Sequence, residues 1–289
     1  MALLNEGDEV IVLAPYWVSY SEIIKLAGGV PVIVGASIED DYKVSAQQVK
    51  DAITDKTKAL LFSSPCNPTG SVYTKDELDA IAEVIAPHED IIVISDEIYE
   101  YINFTDQHAS IGANPVLKGR VATVNGFSKG FAMTGWRLGY MGAPGWLAKA
   151  CAKIQGQVTS GATAFGQMAG AHALLADMTP THKMKEAFLQ RRDMVIDLLQ
   201  EIPDMKVNRP QGAFYIFPDI SAYFGRTDGQ TTITNADDFC EYLLQQAHVA
   251  VVTGAAFGAD NCFRLSYAAS EAELREAVKR MKETMAKLK

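Results

Sequence analysis

This sequence predicts an α/β fold: a mainly parallel sheet with helices on both faces, followed by a smaller α+β C-terminal domain. Three observations carry that expectation. Short apolar runs closed by turn residues alternate with amphipathic stretches, the pattern of strands joined by helical crossovers. The texture changes after about Pro180, from which a long charged amphipathic stretch leads into short strand-like runs. The length, 289 residues with 48% hydrophobic side chains, suffices for a large core and a smaller companion. The division expected is residues 1–180 for a large domain and 181–289 for a small one.

The first half yields strands over 9–14, 30–34, 59–63, 91–95, 121–124 and 138–142, each a compact apolar run. Helices between them announce their starts. Ser45 with Gln48, and Thr74 with Glu77, have the capping-box spacing in which two side chains satisfy the first free amides of a helix. In the second half a helix is expected over 183–201, a β-rich segment over 212–218, and strands over 249–252 and 263–266. From Ser270 a further capping box, completed by Glu273, opens a helix whose Leu274, Val278, Met281, Met285 and Leu288 recur at steps of three and four and form one apolar stripe. Those methionines read as core. Neither an internal repeat nor a low-complexity tract is present.

Composition excludes several classes. A formal net charge of −9, with no run of Lys and Arg that could track a phosphate backbone, argues against nucleic acid as a partner. The four cysteines, Cys66, Cys151, Cys240 and Cys262, form no CxxC pair, so neither a zinc site nor a disulfide framework is expected, only reduced buried thiols. The start Met1-Ala2-Leu3-Leu4-Asn5-Glu6-Gly7-Asp8 lacks the regions of a signal peptide, and no apolar run approaches the roughly 20 residues that span a bilayer. A cytoplasmic protein with no membrane partner is expected.

In doubly wound sheets ligands bind at the carboxyl ends of the strands, which makes the residues just past each apolar run the candidates. Past 59–63 comes Ser64-Pro65-Cys66-Asn67-Pro68-Thr69-Gly70, where Asn67 is either a turn-former or an amide held for recognition. Past 91–95 come Asp96 and, three residues on, Tyr99. The acid suits a helix N-cap equally with a partner for a cationic ring nitrogen. Past 121–124 lies Lys129, among glycines, aromatics and a methionine that would lower its pKa if they closed over it. Ser128 is its neighbour and Arg137 lies eight residues beyond. A hydroxyl and a non-titrating guanidinium fork suit a phosphate clamp. Last, Arg264 interrupts the apolar strand pattern of Cys262-Phe263-Arg264-Leu265-Ser266-Tyr267, which calls for an anionic partner, structural or substrate.

Taken in order, the segments around Asn67, Asp96, Lys129 and Arg264 resemble the class I/II pyridoxal-phosphate-dependent aminotransferases, the aspartate aminotransferase family and in particular its bacterial branch. The likeness runs along the whole chain. It implies the fold type I architecture of those enzymes, pyridoxal 5'-phosphate as cofactor, an amino acid and a 2-oxo acid as substrates, and a homodimer. Residue by residue, it implies that Lys129 forms the Schiff base and then carries the proton, and that Asp96 pairs with the pyridine nitrogen. It gives Tyr99 and Asn67 to the ring's phenolic oxygen, Trp17 to the ring face, Ser128 and Arg137 to the phosphate, and Arg264 (with Asn67) to the substrate carboxylate. No metal is implied.

The family's chains are longer at the N-terminus, where they contribute a glycine-rich phosphate-binding turn, so a truncated chain with weak cofactor binding is expected. Two rivals share the pocket: a lyase or decarboxylase on the same fold, and a cofactor-binding relative without turnover. A nucleotide-binding loop is disfavoured because the Gly126 to Gly130 stretch lacks a Gly-Lys-Ser/Thr ending. Aspartate or glutamate is the expected amino donor, with prephenate-type substrates left open.

Overall fold

The computed structural model describes residues 1–105 and 107–289. In chain order its first half contains β1 (Glu9–Ala14), α1 (Ser19–Leu26), β2 (Val30–Gly35), α2 (Ala46–Ala52), β3 (Thr57–Ser63), α3 (Lys75–Ile85), β4 (Ile92–Asp96), β5 (Val121–Gly126) and β6 (Gly139–Gly142). Then follow α4 (Gly145–Val158), α5 (Ala164–Leu175), α6 (Thr179–Gln200), β7 (Tyr215–Ile216), α7 (Ala236–Tyr242), β8 (Val252–Thr253), β9 (Phe263–Ser266) and α8 (Glu271–Met285).

The first six strands make one sheet in the order β2-β1-β3-β4-β5-β6. β2 through β5 pair in parallel, and β6 joins β5 antiparallel at the edge. Along β1 and β3 the side chains alternate between two buried faces. Ile11, Leu13, Leu60 and Phe62 pack with Val49 of α2 and Leu78, Ile81 and Ile85 of α3. Val10, Val12, Ala59 and Leu61 meet Tyr20 and Ile24 of α1 on the other side. Burial on both faces is why these strands read as continuous apolar runs rather than as alternating ones.

All three capping boxes form: Ser45, Thr74 and Ser270 each accept from the amide three residues on, while Gln48, Glu77 and Glu273 bond back. The stripe on α8 is buried as expected, and Leu288, beyond the helix end, is buried with it.

Several boundaries differ from expectation. Helix α6 begins at Thr179, so Pro180 stands in its first turn, where a missing N–H costs nothing. The 212–218 segment contributes only Tyr215–Ile216 to the second sheet, ordered β7-β9-β8 and antiparallel. Gly212 instead bridges antiparallel to Asn103, and a turn through Ala213, at φ 55°, separates it from β7. Of the 249–252 run only Val252 enters a strand, with Thr253. The expectation of buried thiols holds for Cys66 and Cys262, whereas Cys151 and Cys240 are half-buried on the flanks of α4 and α7. Helix α5 buries only Gly166 and Gly170 and exposes Phe165, Met168 and Leu175. Among the described residues no helix is long and apolar enough to cross a membrane.

Candidate active site

Because β1, β3, β4 and β5 run parallel, their carboxyl ends open on one edge of the sheet. A cavity of about 320 Å3 lies there. Seven of the eight residues singled out in the sequence line it: Trp17 beyond β1, Asn67 beyond β3, Asp96 and Tyr99 at β4, and Ser128, Lys129 and Arg137 beyond β5. The eighth, Arg264 of β9, reaches the group through its neighbour, its Nη1 donating to Asn67 Oδ1 at 2.8 Å. A larger cavity of about 730 Å3 lies beside α3, but its lysine, Lys75, is already paired with Asp79.

The Lys129 amine is half-buried above two aromatic faces, 5.8 Å from the centre of the Tyr99 ring and 5.7 Å from that of Phe214. Among the described residues no carboxylate lies within 4.0 Å of it. Burial pushes its pKa below the ordinary lysine value, the positive charges of Arg264 and Arg137 add to that, and Asp96 opposes them. An amine so placed is readier than a surface lysine to act as a nucleophile or base.

Asp96 closes β4. Its Oδ1 accepts from the Ile98 amide at 3.2 Å and its Oδ2 from the Tyr20 hydroxyl at 2.7 Å. The alternative of a helix N-cap is corrected here, since a turn and not a helix follows β4. Burial pushes the carboxyl pKa up, against the lowering effect of the two donated hydrogen bonds.

Tyr99 is buried with its hydroxyl 3.0 Å from that of Tyr215. Arg264 is sandwiched between aromatic rings, 4.5 Å from the Tyr215 centroid and 4.9 Å from that of Phe257. Its Nε is buried with no hydrogen-bond partner among the described residues. A guanidinium fork fixed in this way, with one arm on Asn67 and a donor unspent, is built to receive an anion. Arg137 is exposed, its backbone left-handed at φ 53°, and its Nη1 donates to the Thr134 carbonyl at 2.8 Å. Trp17 lies edge-on to Tyr20, with ring centres 5.6 Å apart.

The loop that carries Asn67 is closed by the Gly70 amide donating to the Cys66 carbonyl at 2.9 Å. Gly70 has φ +69°, and a Cβ there would lie 2.3 Å from Pro210 and 2.7 Å from the Gly212 carbonyl. Turn chemistry and an amide held in place are therefore both present at this loop.

Three lining or neighbouring groups escaped the sequence reading. Tyr20 follows Trp17 by three residues, and that helical spacing was the available signal. Ser63 is the last residue of β3, and its Oγ is buried without a partner among the described residues. Phe214 had no local signal; tertiary packing alone brings it over Lys129.

Residues 1–281 match the family model described as aminotransferase class I and II, and the chain belongs to that family. A bifunctional aspartate aminotransferase and glutamate/aspartate-prephenate aminotransferase of Petunia hybrida is 45% identical over 100% of this chain, which spans 61% of the petunia protein. An aspartate/prephenate aminotransferase of Cereibacter sphaeroides is 44% identical over 97% of this chain and 71% of its own length. The crystal structure of the aspartate aminotransferase from Rhizobium meliloti superposes with a TM-score of 0.97 at 40% identity, covering 100% of this chain and 73% of that one. The family's enzymes depend on pyridoxal 5'-phosphate.

Proposed function

We propose that this chain carries the active site of a transaminase that moves an amino group between an amino acid, aspartate or glutamate, and a 2-oxo acid. The single observation that supports this most is that the Lys129 amine, the Asp96 carboxylate and the Arg137 guanidinium line one cavity at the strand ends. The donor set fits pyridoxal phosphate. An amine with a lowered pKa suits its aldehyde, a buried acid its ring nitrogen, and a hydroxyl with a guanidinium its phosphate. Two buried polar atoms without partners among the described residues, Ser63 Oγ and Arg264 Nε, support a polar occupant.

When bound, the cofactor supplies an electron sink for charge leaving the substrate α-carbon. In this reading Lys129 Nζ takes up and returns the proton of that carbon, a role that an amine with a pKa lowered by burial suits better than an ordinary lysine. Asp96 holds a cationic ring nitrogen, and Tyr99 and Asn67 donate to the ring oxygen. Trp17 covers the ring face and shields it from water. Ser128 and Arg137 hold the phosphate, and Arg264, assisted by Asn67, orients the substrate carboxylate.

The division of labour belongs to the same proposal, with residues 1–180 holding the cofactor and 181–289 supplying Arg264. Pairing of two copies is also part of it, supported by the exposed apolar side chains of α5. The names of the relatives point to aspartate, glutamate and prephenate as the substrates to try first.

The test is direct. The purified chain, given pyridoxal phosphate, aspartate and 2-oxoglutarate, is expected to form glutamate and oxaloacetate, and Lys129→Ala is expected to form neither. Carbon dioxide or ammonia released in place of glutamate would replace this reading with a decarboxylase or lyase.

A further inference from the structure

Asp96 is held from two sides. On the cavity side Tyr20 donates to its Oδ2 at 2.7 Å, while the Ile98 amide takes Oδ1 at 3.2 Å. The adjacent Glu97 lies behind the strand, since neighbouring residues of an extended chain face opposite ways. Its carboxylate is bound by Ser95 Oγ at 2.9 Å, Ser110 Oγ at 2.6 Å and His108 Nε2 at 2.8 Å. Burial disfavours the anion of Asp96, and the charge of the adjacent Glu97 disfavours it further.

We propose that Tyr20 is a positioning residue for Asp96, fixing one carboxylate oxygen and holding the group as an anion aimed into the cavity. The inference rests on the reading of the cavity as a pyridoxal phosphate site and deepens it. Tyr20 suits the task. Its side chain is 4% exposed, anchored on α1 and braced by the edge of Trp17. Burial first, and then the negative charge of Asp96 with a smaller push from Cys66, holds its hydroxyl in the protonated state, so it is a permanent donor. The charged and titratable groups that face Asp96 are Tyr20, Glu97 and Lys129, with the Cys66 thiol and the Tyr99 phenol also close enough to feel its charge. A hydrogen bond to a buried anion stabilises that anion more than a bond between neutral groups would. Tyr20 therefore offsets part of the burial that works against Asp96.

Tyr20→Phe removes one oxygen and keeps the ring packed against Trp17. In the cofactor-free chain, carbon-13 NMR of the Asp96 carboxyl, assigned with Asp96→Asn, is expected to show ionisation at a higher pH in Tyr20→Phe than in the parent. In titrations with pyridoxal phosphate the variant is expected to bind about tenfold more weakly, the value of one charge-assisted hydrogen bond. In the Asp96→Asn background the same substitution is expected to change affinity little, because the bond it removes no longer serves an anion. Ionisation of Asp96 at the same pH in both proteins, or a full tenfold loss that persists in the Asp96→Asn background, would overturn the proposal. If the parent itself takes up no cofactor through Lys129, the site reading falls, while the NMR comparison still decides the role of Tyr20.

Discussion

Lys129 lies over the faces of Tyr99 and Phe214, and the surroundings that bury it also set its chemistry. Addition of an amine to an aldehyde proceeds through the free base, and burial together with the charges of Arg264 and Arg137 shifts this amine toward that form. The free-base fraction falls as pH drops through the lowered pKa. Uptake of pyridoxal phosphate, followed by stopped-flow absorbance, is accordingly predicted to slow on acidification with a midpoint below the ordinary lysine range. Arg264→Met removes one repelling charge and should move that midpoint to higher pH; an unchanged midpoint would show that the amine does not feel the guanidinium. At this scale the sequence was informative where a chemical type is unusual for its place: a lysine among glycines and aromatics, an arginine within an apolar strand, an acid at a strand tip. Tyr20 and Phe214 were harder to find, because tyrosine and phenylalanine in apolar runs look like any other core residue until tertiary packing aims them.

Among the elements, those with a local cause were legible. The buried strands β1 and β9 coincide with the apolar runs that announced them, and all three capping boxes close as their spacing demanded. Elements shaped by distant contacts were not. The 212–218 stretch is interrupted by a turn at Ala213, after Gly212 has bridged to Asn103, and β7 keeps two residues. The loop carrying Asn67 depends on the residues just before that turn, since the amides of Gln211 and Gly212 both donate to the Gly70 carbonyl at 2.9 Å. Gly70→Ala is predicted to destabilise the chain by at least ~2 kcal/mol, from the left-handed backbone and the collision with Pro210 together. Urea unfolding reads this. A loss below about 0.5 kcal/mol, the range of an ordinary surface substitution, would mean that the loop relaxes freely.

For the whole molecule, the cavity is lined by first-half residues, and hydrogen bonds from the second half fasten onto the loops around it. Arg264 meets Asn67, Asn208 Nδ2 donates to the Thr69 carbonyl at 2.8 Å, and the Tyr42 hydroxyl donates to the Phe217 carbonyl at 2.8 Å. These pairs are far apart in sequence, so their meeting could be expected only from the family resemblance, not from any local pattern. The account turns on Lys129, Asp96 and Arg137 gripping one aromatic phosphate ester from different sides. The most direct measurement is the visible absorbance spectrum of the chain titrated with pyridoxal phosphate, beside that of Lys129→Ala. A saturable band that appears with the parent, is lost in Lys129→Ala and requires more cofactor in Arg137→Ala is the predicted result. The same band at the same cofactor concentration in all three proteins would contradict it.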